Sequence, residues 1–139
     1  IGIEWMLADP SLRAIAIEAS GERVARIRRN AEAFGVPGLT IIEGEAPGAL
    51  AGLPTPDAIF IGGGGSDAGV LDAAISQLRR GGRLVANAVT TEMEAVLLAE
   101  HARRRGSLTR IDIARAAPVG GMTGWRPAMP VTQWCWIKP

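Results

Sequence analysis

Apolar residues along this chain follow two rhythms. Ala14-Ile15-Ala16-Ile17 and Ala58-Ile59-Phe60-Ile61 are short unbroken runs, and Leu39 with Ile41 and Ile42 is a run broken only by Thr40, the pattern of buried strands. Val24, Ile27, Ala31 and Phe34 instead recur at three- and four-residue spacing, as do Val70, Leu71, Ala74, Ile75 and Leu78. That spacing makes a buried stripe along a helix.

The elements follow in order. A helix is predicted over residues 1–8, closed by Asp9-Pro10, then a strand over 13–18. Ser20 is the expected N-cap of a helix that ends at Gly35, and residues 39–43 form the next strand. Pro47 suits a short helical turn over 46–50. Strand 58–61, helix 67–78 and strand 83–88 come next, and Thr90 or Thr91 caps a helix to about residue 105. Strands 111–114 and 131–137 finish the chain, and 117–130, rich in Gly and Pro, is expected to be a loop rather than a plain hairpin turn. Alternating strands and helices predict an α/β fold, a mainly parallel sheet with helices on both faces. The last two strands, with no helix between them, predict an antiparallel pair at one edge.

Composition narrows the function classes. At 139 residues, 47% hydrophobic and 21% charged, the chain fits one globular domain. A net charge of +1 provides no field that would draw nucleic acid or a membrane surface. All but one of the fifteen basic residues are arginine, which a GC-rich genome explains as well as anion binding does. One cysteine, Cys135, and one histidine, His101, exclude an internal disulfide and a Cys/His zinc cluster, so no metal is expected and a reducing, cytoplasmic compartment is. His101 falls mid-helix and reads as structural. No apolar run approaches the roughly 18 residues of a membrane span. The chain opens without Met on what reads as a helix already under way, so residues upstream of Ile1 are expected.

Candidate chemistry lies at the strand ends. In open parallel sheets, ligands sit just past the carboxyl ends of the strands. Glu18 and Ala19 end one strand, Gly44-Glu45-Ala46 follow the next, and Gly62 to Gly65 follow the third. A carboxylate at such a position suits ribose hydroxyls, and glycines let the backbone approach a ligand. Each also has a structural reading: a helix N-terminal charge for Glu18, an exposed loop for Glu45, a flexible turn for the glycines.

That order resembles the class I S-adenosylmethionine-dependent methyltransferases, in which an acidic residue ends the second strand, another follows the third and a site strand comes fourth. Glu18, Glu45 and the stretch 57–65 match those three positions. The first strand and its glycine loop are missing from this chain, with Gly2 near the start of the helix that follows them, so the chain alone is expected to bind the cofactor poorly. Ile42-Glu-Gly-Glu-Ala-Pro47, Ile61-Gly-Gly-Gly-Gly65, residues 81–92 and Ile113-Ala-Arg-Ala116 are similar to motifs of the decarboxylating precorrin methyltransferases of cobalamin biosynthesis, in particular the C-terminal half of fused members. The resemblance implies methyl transfer to C-15 of a tetrapyrrole with decarboxylation of its ring C acetate. It implies S-adenosylmethionine as cofactor and S-adenosylhomocysteine as product, an N-terminal C-5 methyltransferase domain as partner, and a homotetramer. Cofactor contacts would fall to Gly2, Glu18, Ala19, Gly44, Glu45, Ala46, Gly62 and Gly63.

No Ser/His/Asp set or paired acid and base stands out, and no catalytic residue is assigned. A sulfonium electrophile aligned with an enamine-like carbon needs mainly positioning. A substrate rich in carboxylates suits arginine forks. Arg115 and Arg126 could fill that role, Trp125 could lie against the macrocycle, and Asn87, Thr90 and Thr91 could orient substrate; the structural readings are an interface or edge loop with a packed Trp and a helix cap. The competing functions are an RNA or protein methyltransferase, a dinucleotide-binding oxidoreductase and a non-catalytic methyltransferase-like domain. The absence of an Asn-Pro-Pro-Tyr-type tetrapeptide after residue 61 and of basic charge disfavours the first, and Glu45 with the terminal strand pair disfavours the second.

Overall fold

The computed structural model describes residues 1–139, which divide into two compact units, Ile1–Leu53 and Pro54–Pro139. The first holds helix α1 (Gly2–Ala8), strand β1 (Ile15–Glu18), helix α2 (Gly21–Ala33), strand β2 (Thr40–Glu43) and a single 3-10 turn, Gly48–Leu50, after Pro47. β1 and β2 run parallel, Ile15 opposite Thr40 and Glu18 opposite Glu43. Ser20 caps α2 as expected, its Oγ accepting the Arg23 N–H at 3.4 Å. Ala14, Ala31, Val36 and Leu39 form the core, with Ile3, Met6, Ala16, Ile27 and Ile41 packed around it. Both helices thus meet the sheet on the Ala16–Ile41 face. Ile15, on the other face, is 41% exposed, although the apolar run suggests burial on both sides. Phe34 departs from the expected stripe: α2 ends at Ala33, and Phe34, at the C-cap, is 60% exposed. Where α1 closes, the Asp9 carboxyl accepts the Ser11 N–H, which holds its pKa below the ordinary carboxylate value.

The second unit contains β3 (Ala58–Ile61), α3 (Val70–Gln77), β4 (Arg83–Ala88), α4 (Thr91–Arg104), β5 (Ser107–Ile111), β6 (Ala114–Val119), β7 (Met122–Pro127) and β8 (Val131–Ile137). Its main sheet has the order β3-β4-β8-β5. β3 and β4 are parallel, and β8 inserts antiparallel between β4 and β5. α3 starts at Val70, the first residue of its apolar pattern, three residues after the predicted start at 67, because Gly69, with φ of +78°, still belongs to the preceding turn.

The C-terminal third differs most from expectation. β5 begins at Ser107, not Ile111: Gly106, with φ of +89°, sends the chain from α4 straight into the strand. A Cβ there would lie 2.4 Å from the Cys135 carbonyl oxygen, so only glycine fits. The stretch expected to be a loop is a hairpin, β6–β7, joined by Gly120-Gly121, a pair that supplies the backbone a two-residue turn needs. Pro118 and Pro127 are tolerated because both strands of this separate two-stranded sheet are edges.

Leu84, Ala86 and Ala88 of β4 and Trp134 and Trp136 of β8 alternate onto one face. Leu71, Ala74, Ile75 and Leu78 from around α3 and Met93 and Leu97 from α4 complete a single core with them. Beyond β8, Lys138 Nζ donates to the carbonyls of Ile75, Ser76 and Leu78 at 2.6 to 2.8 Å, a cation closing the C-terminal end of α3. At the start of β3, Asp57 pairs with Arg79.

Candidate functional site

In the first unit, parallel pairing sets Glu18 beside Glu43 at the carboxyl ends of β1 and β2. Glu18 Oε1 accepts the Ser20 N–H at 2.9 Å and lies 3.4 Å from Arg23 Nη1. Half of the structural reading therefore holds, since one carboxylate oxygen serves the start of α2. Oε2 carries no hydrogen bond in the structure and the side chain is 20% exposed. The Glu43 carboxylate lies over Gly21, where a Cβ would come within 3.0 Å of Oε1. The sequence places Glu43 at a strand end, within the motif over residues 42–47, without a role of its own; the register with Glu18 is what brings it to the rim. The Gly44 N–H donates to the Glu18 carbonyl at 3.1 Å, and the Glu45 carbonyl accepts the Ala49 N–H at 2.9 Å, which secures the loop beneath the exposed Glu45 side chain. Ala19 is exposed and Ala46 half-buried on the same rim. Gly2 is not among them: it packs on Leu39 and Ala14, which precede β2 and β1 on the amino side.

In the second unit the glycine run divides its work. Gly65 is buried, and a Cβ there would lie 2.5 Å from Met93 Cε, so its smallness serves packing. Gly62 and Gly63 are exposed at the end of β3, and a Cβ at Gly63 would meet nothing within 4 Å. Asn87, near the end of β4, accepts the Gln133 side-chain amide at 3.0 Å. Thr90 is the N-cap of α4, its Oγ1 accepting the Met93 N–H at 3.3 Å, and Thr91 is the first helical residue. His101 sits in the last turn of α4, with Nδ1 buried and unpartnered.

The hairpin brings Arg115 and Arg126 directly opposite each other. Neither has a carboxylate partner. Like charges opposed across strands repel, so this pair gains from a shared anion. Trp125 pairs with Ala116 in the next register position, so it points to the opposite face of the hairpin, 75% exposed. The structure joins the two arginines and separates the tryptophan from them. Sequence reading also missed Glu94, Arg110 and Thr132, which meet near the end of β4 although 16 to 38 residues apart in the chain.

Parallel strands with carboxylates or glycines just past their ends, finished by a strand inserted antiparallel, define the fold of the class I methyltransferases. The chain belongs to the precorrin methyltransferase domain family, whose model matches residues 1–138. It is 75% identical over 99% of its length to a precorrin-6Y C(5,15)-methyltransferase [decarboxylating] of Sinorhizobium sp, spanning 33% of that protein. A cobalt-precorrin-6B C(15)-methyltransferase (decarboxylating) of Salmonella typhimurium is 31% identical, with 94% of this chain and 69% of that one covered. The crystal structure of the C-terminal domain of the Rhodobacter capsulatus precorrin-6Y C5,15-methyltransferase superposes with a TM-score of 0.90 at 46% identity, covering 99% of this chain and 73% of that one.

Proposed function

We propose that this chain is the C-15-methylating, decarboxylating part of a precorrin methyltransferase of cobalamin biosynthesis. The observation that carries the reading is its identity of 75%, over nearly its whole length, with an enzyme of that name. Greater identity to that relative than to the cobalt-precorrin enzyme, 75% against 31%, favours a metal-free substrate. S-adenosylmethionine, when bound, supplies the methyl group as a sulfonium electrophile.

The residues of the first rim suit its adenosine end. Glu18 keeps an unengaged oxygen for ribose hydroxyls, and Glu45 is an exposed acceptor for an adenine amino group, with Ala46 beside the ring. Ala19 and Gly44 on that rim contribute backbone or small side chains that permit close approach, and in the second unit the exposed Gly62 and Gly63 leave the backbone open to a ligand in the same way. Gly2 is left out of the set because it packs at the amino side.

On the substrate, loss of carbon dioxide leaves an electron pair that the conjugated macrocycle can absorb, and the methylene left behind takes up one proton. The protein's task is to hold carboxylate arms so that C-15 faces the methyl donor. Arg115 and Arg126 are the proposed clamp, Asn87 and Thr90 orient the ring system, and Trp125 acts from the other face of the hairpin. Replacing either arginine by alanine is expected to raise KM for the precorrin roughly 10- to 100-fold, since a hydrogen bond to a charged group contributes about 1.5–3 kcal/mol. Calorimetric affinity for S-adenosylhomocysteine should stay near wild type. An unchanged KM contradicts the clamp, and absence of S-adenosylhomocysteine binding by the full-length wild-type protein contradicts the methyltransferase reading.

Two associations belong to the same proposal. The Sinorhizobium relative, of which this chain spans 33%, bears a name covering C-5 as well as C-15, which supports a C-5-methylating partner domain in the same protein. Val119 and Met122 are 55% and 81% exposed on a hairpin that pairs with no other strand. Such a hairpin is marginal alone, which supports its burial between copies in a homotetramer. No helix is long and apolar enough to cross a membrane, and the free Cys135 agrees with a cytoplasmic setting.

A further inference from the structure

On the helix-covered face of the four-stranded sheet, the strand register sets Ala88, Thr132 and Arg110 in a row across β4, β8 and β5. Thr90 and Glu94, one turn apart at the start of α4, stand beside that row. Together with Pro130 these residues line a cavity of about 180 Å³. The space arises because Ala88, 3% exposed, is the smallest residue of the row. It opens where β4 ends, the position at which ligands meet such sheets.

The polar groups are fixed in a particular way. Thr132, 4% exposed, donates its hydroxyl to Glu94 Oε1 at 2.5 Å. Arg110 Nη1 donates to the same oxygen at 2.8 Å and lies 3.5 Å from Thr132 Oγ1. Arg110 Nε lies 3.6 Å from Asp112 Oδ2. Two of the three guanidinium nitrogens are thus oriented, and Nη2 makes no hydrogen bond. Glu94 is charge-paired with Arg110, and the buried Thr132 hydroxyl donates to the same carboxylate oxygen. Asp112 is 65% exposed, so its pairing is screened and weak. A guanidinium braced on one side with a donor to spare is suited to a planar anion. The N-terminal end of α4 favours negative charge at the same place. The volume falls below the roughly 300–1,000 Å³ of sites that enclose a drug-sized ligand; it suits one acetate or propionate arm and excludes a macrocycle.

We propose that this cavity is a subsite for a single carboxylate arm of the substrate, with Arg110 the residue that selects it and Glu94 and Thr132 the pair that positions Arg110. The subsite rests on the precorrin reading above and adds to it a carboxylate contact separate from the Arg115–Arg126 clamp.

The test compares kcat, KM for the precorrin and Kd for S-adenosylhomocysteine in the full-length protein, wild type and Arg110→Ala, Arg110→Lys and Glu94→Gln. Arg110 is half-exposed, so its truncation leaves the core intact. Arg110→Ala is expected to raise KM about 10- to 100-fold, with kcat and the Kd within about twofold of wild type. Arg110→Lys should recover part of the loss, because it keeps the charge and loses the fork. Glu94→Gln should give a smaller rise in KM, since Arg110 remains but is less firmly held. An unchanged KM in Arg110→Ala overturns the subsite. So does a loss shared by KM, kcat and melting temperature that lysine does not relieve, which marks a structural role. A KM effect larger in Glu94→Gln than in Arg110→Ala also overturns it, because the cavity then takes an N–H or cationic group through Glu94. Wild-type protein that neither binds S-adenosylhomocysteine nor methylates the precorrin removes the underlying reading, and the subsite with it.

Discussion

Replacing Trp134 by alanine is expected to cost about 3–5 kcal/mol of folding stability, the range for emptying a large buried aromatic site. Trp134 is fully buried on β8, which pairs with β4 on one side and β5 on the other. Its cross-strand partner on β4 is Ala86, whose small side chain cannot fill the space. Its ring stacks on Trp136 with centroids 6.0 Å apart, and its Nε1–H donates to the Arg105 carbonyl at 2.8 Å. That bond ties β8 to the end of α4, just before the Gly106 turn. Alanine therefore opens a cavity and leaves a carbonyl without its partner, which adds about 1–3 kcal/mol if water cannot reach it. Trp134→Phe retains most of the volume and should cost roughly 1–2 kcal/mol. Urea unfolding followed by circular dichroism separates the two variants. A loss below about 1 kcal/mol for the alanine variant would show that the core repacks around β8.

On the cofactor side, the largest functional effect is expected at Glu18. Glu18→Ala should weaken S-adenosylhomocysteine binding by roughly 10- to 100-fold, the loss of one or two hydrogen bonds to a charged acceptor. Part of any effect could come through structure, since Oε1 also serves the N-terminus of α2 through Ser20. Loss of such a cap costs about 1 kcal/mol of stability, so melting temperature must be read beside affinity. Glu18→Gln separates the two roles: the amide oxygen can still accept the Ser20 N–H, while the charge that favours paired ribose hydroxyls is gone. Calorimetry on both variants is the check, and affinity within about twofold of wild type in Glu18→Ala would remove Glu18 from the cofactor site.

These two residues show what a sequence conveys about such a fold. β3, β4 and β8 fall where they were expected because each is a run of apolar or alternating residues bounded by glycine, proline or turn residues. Ser20 and Thr90 are N-caps as expected, because a cap is a local interaction within three residues. Glu18 ends β1 as expected for a similar reason: a carboxylate closes an apolar run. The hairpin β6–β7 was not, because its composition, with prolines and few bulky apolar residues, argues against strands, and the Gly120-Gly121 turn signal was outweighed. Phe34 reads as the last member of a helical stripe, yet the helix ends one residue before it. The Ala88–Thr132–Arg110 row was invisible because it depends on the register of three strands. The same holds for the Arg115–Arg126 opposition and for Trp125 on the other face. Spacing along the chain carries no record of who faces whom across a sheet.

The central proposal is that this chain carries out methylation at C-15 of a precorrin with release of the ring C acetate carboxyl as carbon dioxide. The most direct test supplies the full-length protein with a metal-free precorrin labelled with ¹³C in that carboxyl, together with ¹³C-methyl S-adenosylmethionine. The account predicts one new labelled methyl at C-15 by NMR and release of labelled carbon dioxide in equal amount. A labelled methyl at another position, or methylation with the acetate carboxyl retained, would contradict it.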